Sequence, residues 1–239
     1  MPEKVIGILG GMGPEATVDC FAKIIGNTPA EKDQDHLRVI IDSNPKVPDR
    51  TRAILGEGES PVPVLAEGCK ALKCAGADFI IIPCVSAHFF LEELRKEAEL
   101  PILSIFDVVA ETIESEYPDI KLVGLMGTTG TIRGGLFQKR LARSGIDTLV
   151  CDENTQQQVM NAIYEIKRGI LKQSPERVKN VLVKAAKSLI DRGSKAIVAG
   201  CTEIPLALKQ EDLAVPYFDV LALLARAAIR YAGKEPKVV

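Results

Sequence analysis

The side chains best suited to chemistry in this chain are two of its six cysteines. Cys84 follows the apolar run Asp78 to Ile82, and Cys201 follows Ala196 to Ala199; each has a hydroxyl within two residues, Ser86 and Thr202. A thiol ordinarily titrates at about 8.5, so a charged neighbour or a helix N-terminus can supply a thiolate at neutral pH. Two thiols facing each other across a small molecule suit two-base chemistry. One thiolate removes a proton from carbon while the other thiol delivers a proton to the opposite face, inverting a stereocentre. A single cysteine at a strand end is most often a small buried hydrophobe, so it is the pairing that turns the reading toward function. Cys20, Cys69, Cys74 and Cys151 have no symmetric counterpart and read as core fillers.

The pairing comes from an internal repeat. A constant shift of 117 residues, with no gap, carries Lys4, Gly7, Gly10 and Gly13 onto Lys121, Gly124, Gly127 and Gly130. It carries Leu65 to Leu182, Gly76 to Gly193, Ile80 to Ile197 and Cys84 to Cys201. Phe106-Asp107-Val108 is echoed by Phe218-Asp219-Val220 after a small deletion. Such a register held over so many positions marks two related halves.

The elements that must position the thiols alternate between strand and helix in both halves. Val5 to Leu9 reads as a strand buried on both faces, with Pro14 suited to the first turn of a helix running through Ile25. Arg38 to Ile41, Asp78 to Ile82 and Ile102 to Ile105 read as further strands, with helices over Val64 to Ala75 and Phe89 to Ala98. The second half repeats this: strands Leu122 to Met126, Thr148 to Val150 and Ala196 to Ala199, with helices from about Ile132, over Gln156 to Leu171 and over Pro175 to Asp191. The pattern predicts an α/β chain of parallel sheets flanked by helices, with ligands bound beyond the carboxyl ends of the strands. Pro45 to Pro63, rich in Pro, Gly and charge, is long for a connection and reads as a lid or binding loop.

Composition narrows the partners. The 239 residues are 46% hydrophobic and 26% charged, which excludes disorder and low-complexity architecture and allows one large domain or two smaller ones. Thirty basic against 32 acidic residues give a net charge of -2, with no electrostatic footprint for nucleic acid or an anionic membrane. No apolar run is long enough to span a bilayer, no signal peptide precedes the first strand, and the sparse cysteines suit a reducing, cytoplasmic setting.

Several segments together resemble the aspartate/glutamate racemase family, and within it the aspartate racemases. They are Ile8-Leu9-Gly10-Gly11-Met12-Gly13-Pro14-Glu15-Ala16-Thr17, Asp33-Gln34-Asp35-His36, Ser43-Asn44-Pro45 and Pro48-Asp49-Arg50-Thr51. Pro83-Cys84-Val85-Ser86-Ala87-His88, Thr128-Thr129-Gly130-Thr131, Ile163-Tyr164-Glu165 and Gly200-Cys201-Thr202-Glu203 complete the set. The resemblance implies two pseudo-symmetric Rossmann-like lobes, each with a four-stranded, mostly parallel sheet, and an active site in the cleft between them. It implies an N-terminal lobe of 1–105 with 217–239, a C-terminal lobe of 106–216, a homodimer and no pyridoxal phosphate or other cofactor.

By the same resemblance Cys84 and Cys201 match the family's acid/base cysteines, Arg50 the arginine on a substrate carboxylate, and Met12 the loop beside the substrate. Ser86 and Thr202 match hydroxyls near that carboxylate, and Thr128 and Glu203 lie in matched motifs. Lys167, with Arg168 as its alternative, matches a substrate-facing lysine. Arg50 and Lys167 together would offer a fork and a point charge to a dianionic amino acid. One departure stands at Val85, where the family commonly has Asn. Loss of that amide leaves the thiol chemistry intact and opens the pocket to a less polar amino acid.

Other readings carry less. Gly10-Gly11-Met12-Gly13 matches neither the dinucleotide fingerprint nor a phosphate loop, and reads as a tight turn offering N–H groups to a carboxylate. Cys84, His88 and Cys201 make a weak metal set. His36 and His88 are the only histidines and support no nucleophile triad. A related isomerase or decarboxylase acting on a small dicarboxylic acid is the alternative enzyme, and an amino-acid sensor the alternative of another class.

Overall fold

The computed structural model describes residues 3–169 and 174–237. Among them the strands form two separate parallel sheets, and the chain divides into two compact units. Unit 1 is Met1–Val108 with Leu221–Val239, and unit 2 is Val109–Val220. The division falls inside the helix α5 (Ile105–Glu116) and at the start of α11 (Val220–Tyr231).

In unit 1 the sheet order is β2-β1-β3, with β1 Ile6–Gly10, β2 Val39–Ser43 and β3 Phe79–Ile81. Every residue of β1 is buried, as a central parallel strand covered on both faces requires. Ile6 and Ile8 are fully buried, so truncating either to Ala would cost about 2–5 kcal/mol. The helices are α1 Pro14–Asn27, α2 Arg50–Ile54, α3 Val62–Cys74 and α4 Leu91–Ala98.

Two expectations need correction here. The fourth strand at Ile102 to Ile105 is a single bridge, Ile80 to Ile102, so this sheet has three strands. Ser104 ends it: its Oγ accepts from Asp107 N at 3.2 Å, and α5 begins at Ile105. The segment Pro45 to Pro63 carries a short helix, α2, which Asp49 caps by accepting from Arg52 N at 3.0 Å. The helix expected from Phe89 is likewise preceded by a 3-10 turn, Val85–Phe90.

In unit 2 the order is β5-β4-β6-β7, with β4 Leu122–Gly127, β5 Asp147–Leu149, β6 Ala196–Gly200 and β7 Tyr217–Asp219. Its further helices are α6 Thr129–Gly134, α7 Leu136–Arg143, α8 Glu153–Lys167, α9 Pro175–Asp191 and α10 Ile204–Ala207. The helix expected from about Ile132 starts earlier, on the Thr128 cap, and Gly135 at φ 69° divides it in two. The expected end of the α8 segment, Leu171, lies outside the described residues.

The strand register carries the repeat into three dimensions. In unit 1 Gly7 pairs with Ile80 and Ile8 with Ile81; in unit 2 Gly124 pairs with Ile197 and Leu125 with Val198. These are the same pairs moved by 117 residues, so Cys84 and Cys201 follow equivalent residues of equivalent strands at the carboxyl ends of their sheets. Among the described residues no helix is long and apolar enough to cross a membrane.

Candidate active site

In unit 1 the site is built on the ends of β1 and β3. Cys84 is extended (φ -154°, ψ 108°) and opens the 3-10 turn that holds Val85 and Ser86, all three buried. Cys84 O accepts from Ala87 N at 3.2 Å and faces His88 Nδ1 at 2.9 Å. His88 is buried, and desolvation pushes its pKa down to about 4, against the opposing pull of the Cys84 and Leu103 carbonyls. A neutral ring donating from Nδ1 to Cys84 O fits that burial. His88 therefore braces the cysteine's backbone.

Met12 packs with Cys84, Val47 and Ala87 in one apolar cluster. Its carbonyl lies 3.5 Å from Arg50 Nη2, while Arg50 Nη1 donates to Val47 O at 3.0 Å and Pro48 O at 2.8 Å. Arg50 is half-buried, and its buried Nε finds no partner. Three carbonyls thus hold the fork in place and leave the buried Nε unanswered, which favours an incoming anion such as a carboxylate.

The glycine loop is explained by close approach. Gly11 has φ 90°, and a Cβ there would lie 2.3 Å from the Asn44 backbone. Gly11 N donates to Thr17 Oγ1 at 2.8 Å, so this N–H serves the turn and is not offered to a ligand as the sequence suggests.

In unit 2 Cys201 directly follows β6 and is buried with Thr202 and Glu203. Cys201 Sγ donates to Glu203 Oε2 at 3.0 Å, and Thr202 Oγ1 lies 3.4 Å from the same oxygen. Lys167, at the end of α8, donates to Glu203 Oε1 at 2.5 Å. Arg168 caps that helix and is exposed. Burial, and after it the negative charge of Glu203, pushes the Cys201 thiol well above its ordinary value, while Lys167 opposes. Cys201 is therefore a protonated thiol hydrogen-bonded to a carboxylate. Thr128 caps α6 through Oγ1, which accepts from Thr131 N at 3.1 Å.

The expected residues thus fall into two groups: Met12, Arg50, Cys84, Val85 and Ser86 in unit 1, and Thr128, Lys167, Cys201, Thr202 and Glu203 in unit 2. Sequence reasoning missed Glu203 as the partner of the thiol, and it missed Gln156. Gln156 is buried and donates from Nε2 to Gly127 O at 3.0 Å. Its signal was there, a polar residue in helical register with Val159, Met160 and Ile163 on the apolar face of α8. The cysteines expected to fill the core also divide: Cys20 and Cys69 do so, Cys74 is exposed and Cys151 is half-buried. Among the described residues no cluster of three or more His, Cys, Asp or Glu is placed to hold a metal ion.

The fold is α/β, with two parallel sheets and a buried cysteine beyond the carboxyl end of a strand in each. The profile of the Asp/Glu/Hydantoin racemase family matches residues 9–228, and the chain belongs to that family. It is 29% identical over 229 residues to the broad specificity amino-acid racemase RacX of Bacillus subtilis, covering 94% of this chain and 96% of that one. Among solved structures it is similar to the Picrophilus torridus aspartate racemase, with a TM-score of 0.87 and 31% identity over 98% of this chain and 96% of that one. An aspartate racemase homologue from Pyrococcus horikoshii OT3 gives a TM-score of 0.75 and 28% identity over 97% of this chain and 100% of that one. Family membership supports an isomerase activity, amino-acid racemisation.

Proposed function

We propose that this chain is a cofactor-independent amino-acid racemase in which Cys84 and Cys201 are the acid/base pair. The observation that carries the reading is the shared strand register, which gives the two thiols equivalent places at the carboxyl ends of equivalent strands. The similarity to RacX and to the P. torridus aspartate racemase supports it.

In one direction the Cys84 thiolate takes the α-proton and becomes a thiol, and the electron pair left on carbon is delocalised into the carboxylate. Cys201 gives its S–H proton to the opposite face and becomes a thiolate. The reverse direction exchanges the roles, so atoms and charge balance over a cycle. Arg50 holds the α-carboxylate, with Ser86, Thr202 and Thr128 as hydroxyl partners and Met12 as an apolar wall. Glu203 accepts the Cys201 proton's hydrogen bond, and Lys167 pairs with the other oxygen of Glu203.

The substrate is an α-amino acid whose side chain need not be acidic. Lys167 is already matched by Glu203, and Val85 presents an apolar surface where an amide would select a polar side chain. The test is racemisation of the common amino acids in deuterium oxide, read by chiral chromatography and by label at the α-carbon. Wild type is expected to invert and exchange at least one of them. Cys84→Ala and Cys201→Ala are each expected to lose inversion, while single-handed exchange can persist on the surviving thiol. Inversion retained in both variants would defeat the assignment.

A further inference from the structure

Unit 2 contains a cavity of about 260 Å³, lined by Thr129, Ile132, Arg133, Cys151, Glu153, Gln156 and Gln157. It lies where β4 and β5 end, against the first turns of α6 and α8. Thr128 and Thr131 of the same turn are buried and bonded to each other, Oγ1 to Oγ1 at 3.0 Å, whereas Thr129, Ile132 and Arg133 form the cavity wall. The racemase reading uses none of the cavity residues.

Two observations point to a ligand. Gln156 is only 9% exposed, and because its Nε2 is spent on Gly127 O, its Oε1 is a buried acceptor without a donor. Such an atom costs about 1–3 kcal/mol unless something bonds to it. In addition Arg133 and Glu153 bring opposite charges to one wall, and no ion pair joins either to another described residue. Ile132 and Cys151 supply an apolar patch beside them.

We propose that this cavity is a binding site for a second small molecule, a zwitterionic α-amino acid. Its carboxylate pairs with the Arg133 guanidinium. Its ammonium group donates to Glu153 and to Gln156 Oε1, and a short side chain rests on Ile132 and Cys151. The volume equals roughly eight or nine waters, enough for a small amino acid and too little for a nucleotide.

The proposal is independent of the racemase reading and is tested by binding. The full chain is titrated calorimetrically with glycine, L-alanine, L-glutamine and L-aspartate in turn, alongside Arg133→Ala, Glu153→Gln and Arg50→Ala. Arg133 and Glu153 are exposed, so both substitutions leave the core intact. At least one amino acid is expected to bind in a mode that survives Arg50→Ala and weakens about tenfold or more in Arg133→Ala and in Glu153→Gln. Binding indifferent to Arg133 and Glu153, or no binding beyond a mode lost in Arg50→Ala, overturns the proposal. Absence of racemisation with Arg133-dependent binding intact would remove the racemase reading alone.

Discussion

Lys167 Nζ lies 2.5 Å from Glu203 Oε1, on the carboxylate whose other oxygen accepts the Cys201 thiol proton. Glu203 is almost wholly buried and Lys167 about a quarter exposed, so the ion pair sits at the border of solvent, with its anion inside. This pair adjusts a thiol that burial already holds protonated. Glu203 raises the Cys201 pKa and Lys167 lowers it, both after the larger effect of burial. Glu203→Gln is expected to bring the midpoint of Cys201 alkylation to lower pH, and Lys167→Met to move it higher. Iodoacetamide labelling of the Cys201 peptide against pH, followed by mass spectrometry, reads both. Equal midpoints in the two variants would sever the link.

His88 predicts an acid limb of stability. Folded, it is neutral down to about pH 4; unfolded, it takes a proton at about 6.5. Across that window the unfolded state binds more protons, so stability falls as pH falls, with about 3 kcal/mol lost once pH is below the folded value. Arg95 adds slightly to the shift and Asp107 opposes it. His88→Gln removes this contribution. The gap in urea midpoint between pH 7.5 and pH 4.5 is expected to be smaller in His88→Gln than in wild type, and an unchanged gap would show that another group sets the slope.

How much of this was legible in the sequence depended on range. The β1 and β3 strands and the Cys84 position follow from buried apolar runs, which speak for themselves, and the 117-residue shift extends them to β4, β6 and Cys201. Ile102 to Ile105 misled because Ser104, a helix cap, interrupts what composition alone makes a strand. Thr128 capping α6 was missed in the same way, since a cap is one hydrogen bond and leaves no periodic trace. Nothing local in the sequence announces that Lys167 meets Glu203, because the contact joins a helix end to a strand end and exists only after unit 2 has packed. The two groups of site residues were recognisable by type, but their hydrogen bonding was not.

Two glycines of positive φ separate conformational cost from crowding. Gly11 has φ 90° and its added Cβ would meet Asn44 backbone at 2.3 Å, whereas Gly56 has φ 75° and open space around it. Gly56→Ala is expected to cost about 1 kcal/mol, from the dihedral alone. Gly11→Ala must also displace backbone, and is expected to cost at least about 3 kcal/mol, or roughly 6 °C in Tm or more. Thermal unfolding of both variants gives the comparison. A Gly11→Ala shift no larger than that of Gly56→Ala would mean that the Asn44 segment yields freely.

Arg50 carries the last prediction. Its Nη1 is committed to Val47 O and Pro48 O, and its buried Nε is the donor without a partner. Lysine keeps the charge but has neither a planar fork nor a second nitrogen, so it cannot hold both carbonyls and still reach a carboxylate. Arg50→Lys is therefore expected to lower kcat/KM by about 10–100-fold, with KM rising more than kcat falls, because the lost bond is made to the substrate carboxylate before and during proton transfer. Steady-state racemisation kinetics on whichever amino acid proves the best substrate measure this split. The folded state offers a control, since two backbone carbonyls lose a charged donor and Tm should drop modestly in the same variant. If kcat falls while KM stays constant, the role of Arg50 lies in the reacting geometry instead of in holding the carboxylate.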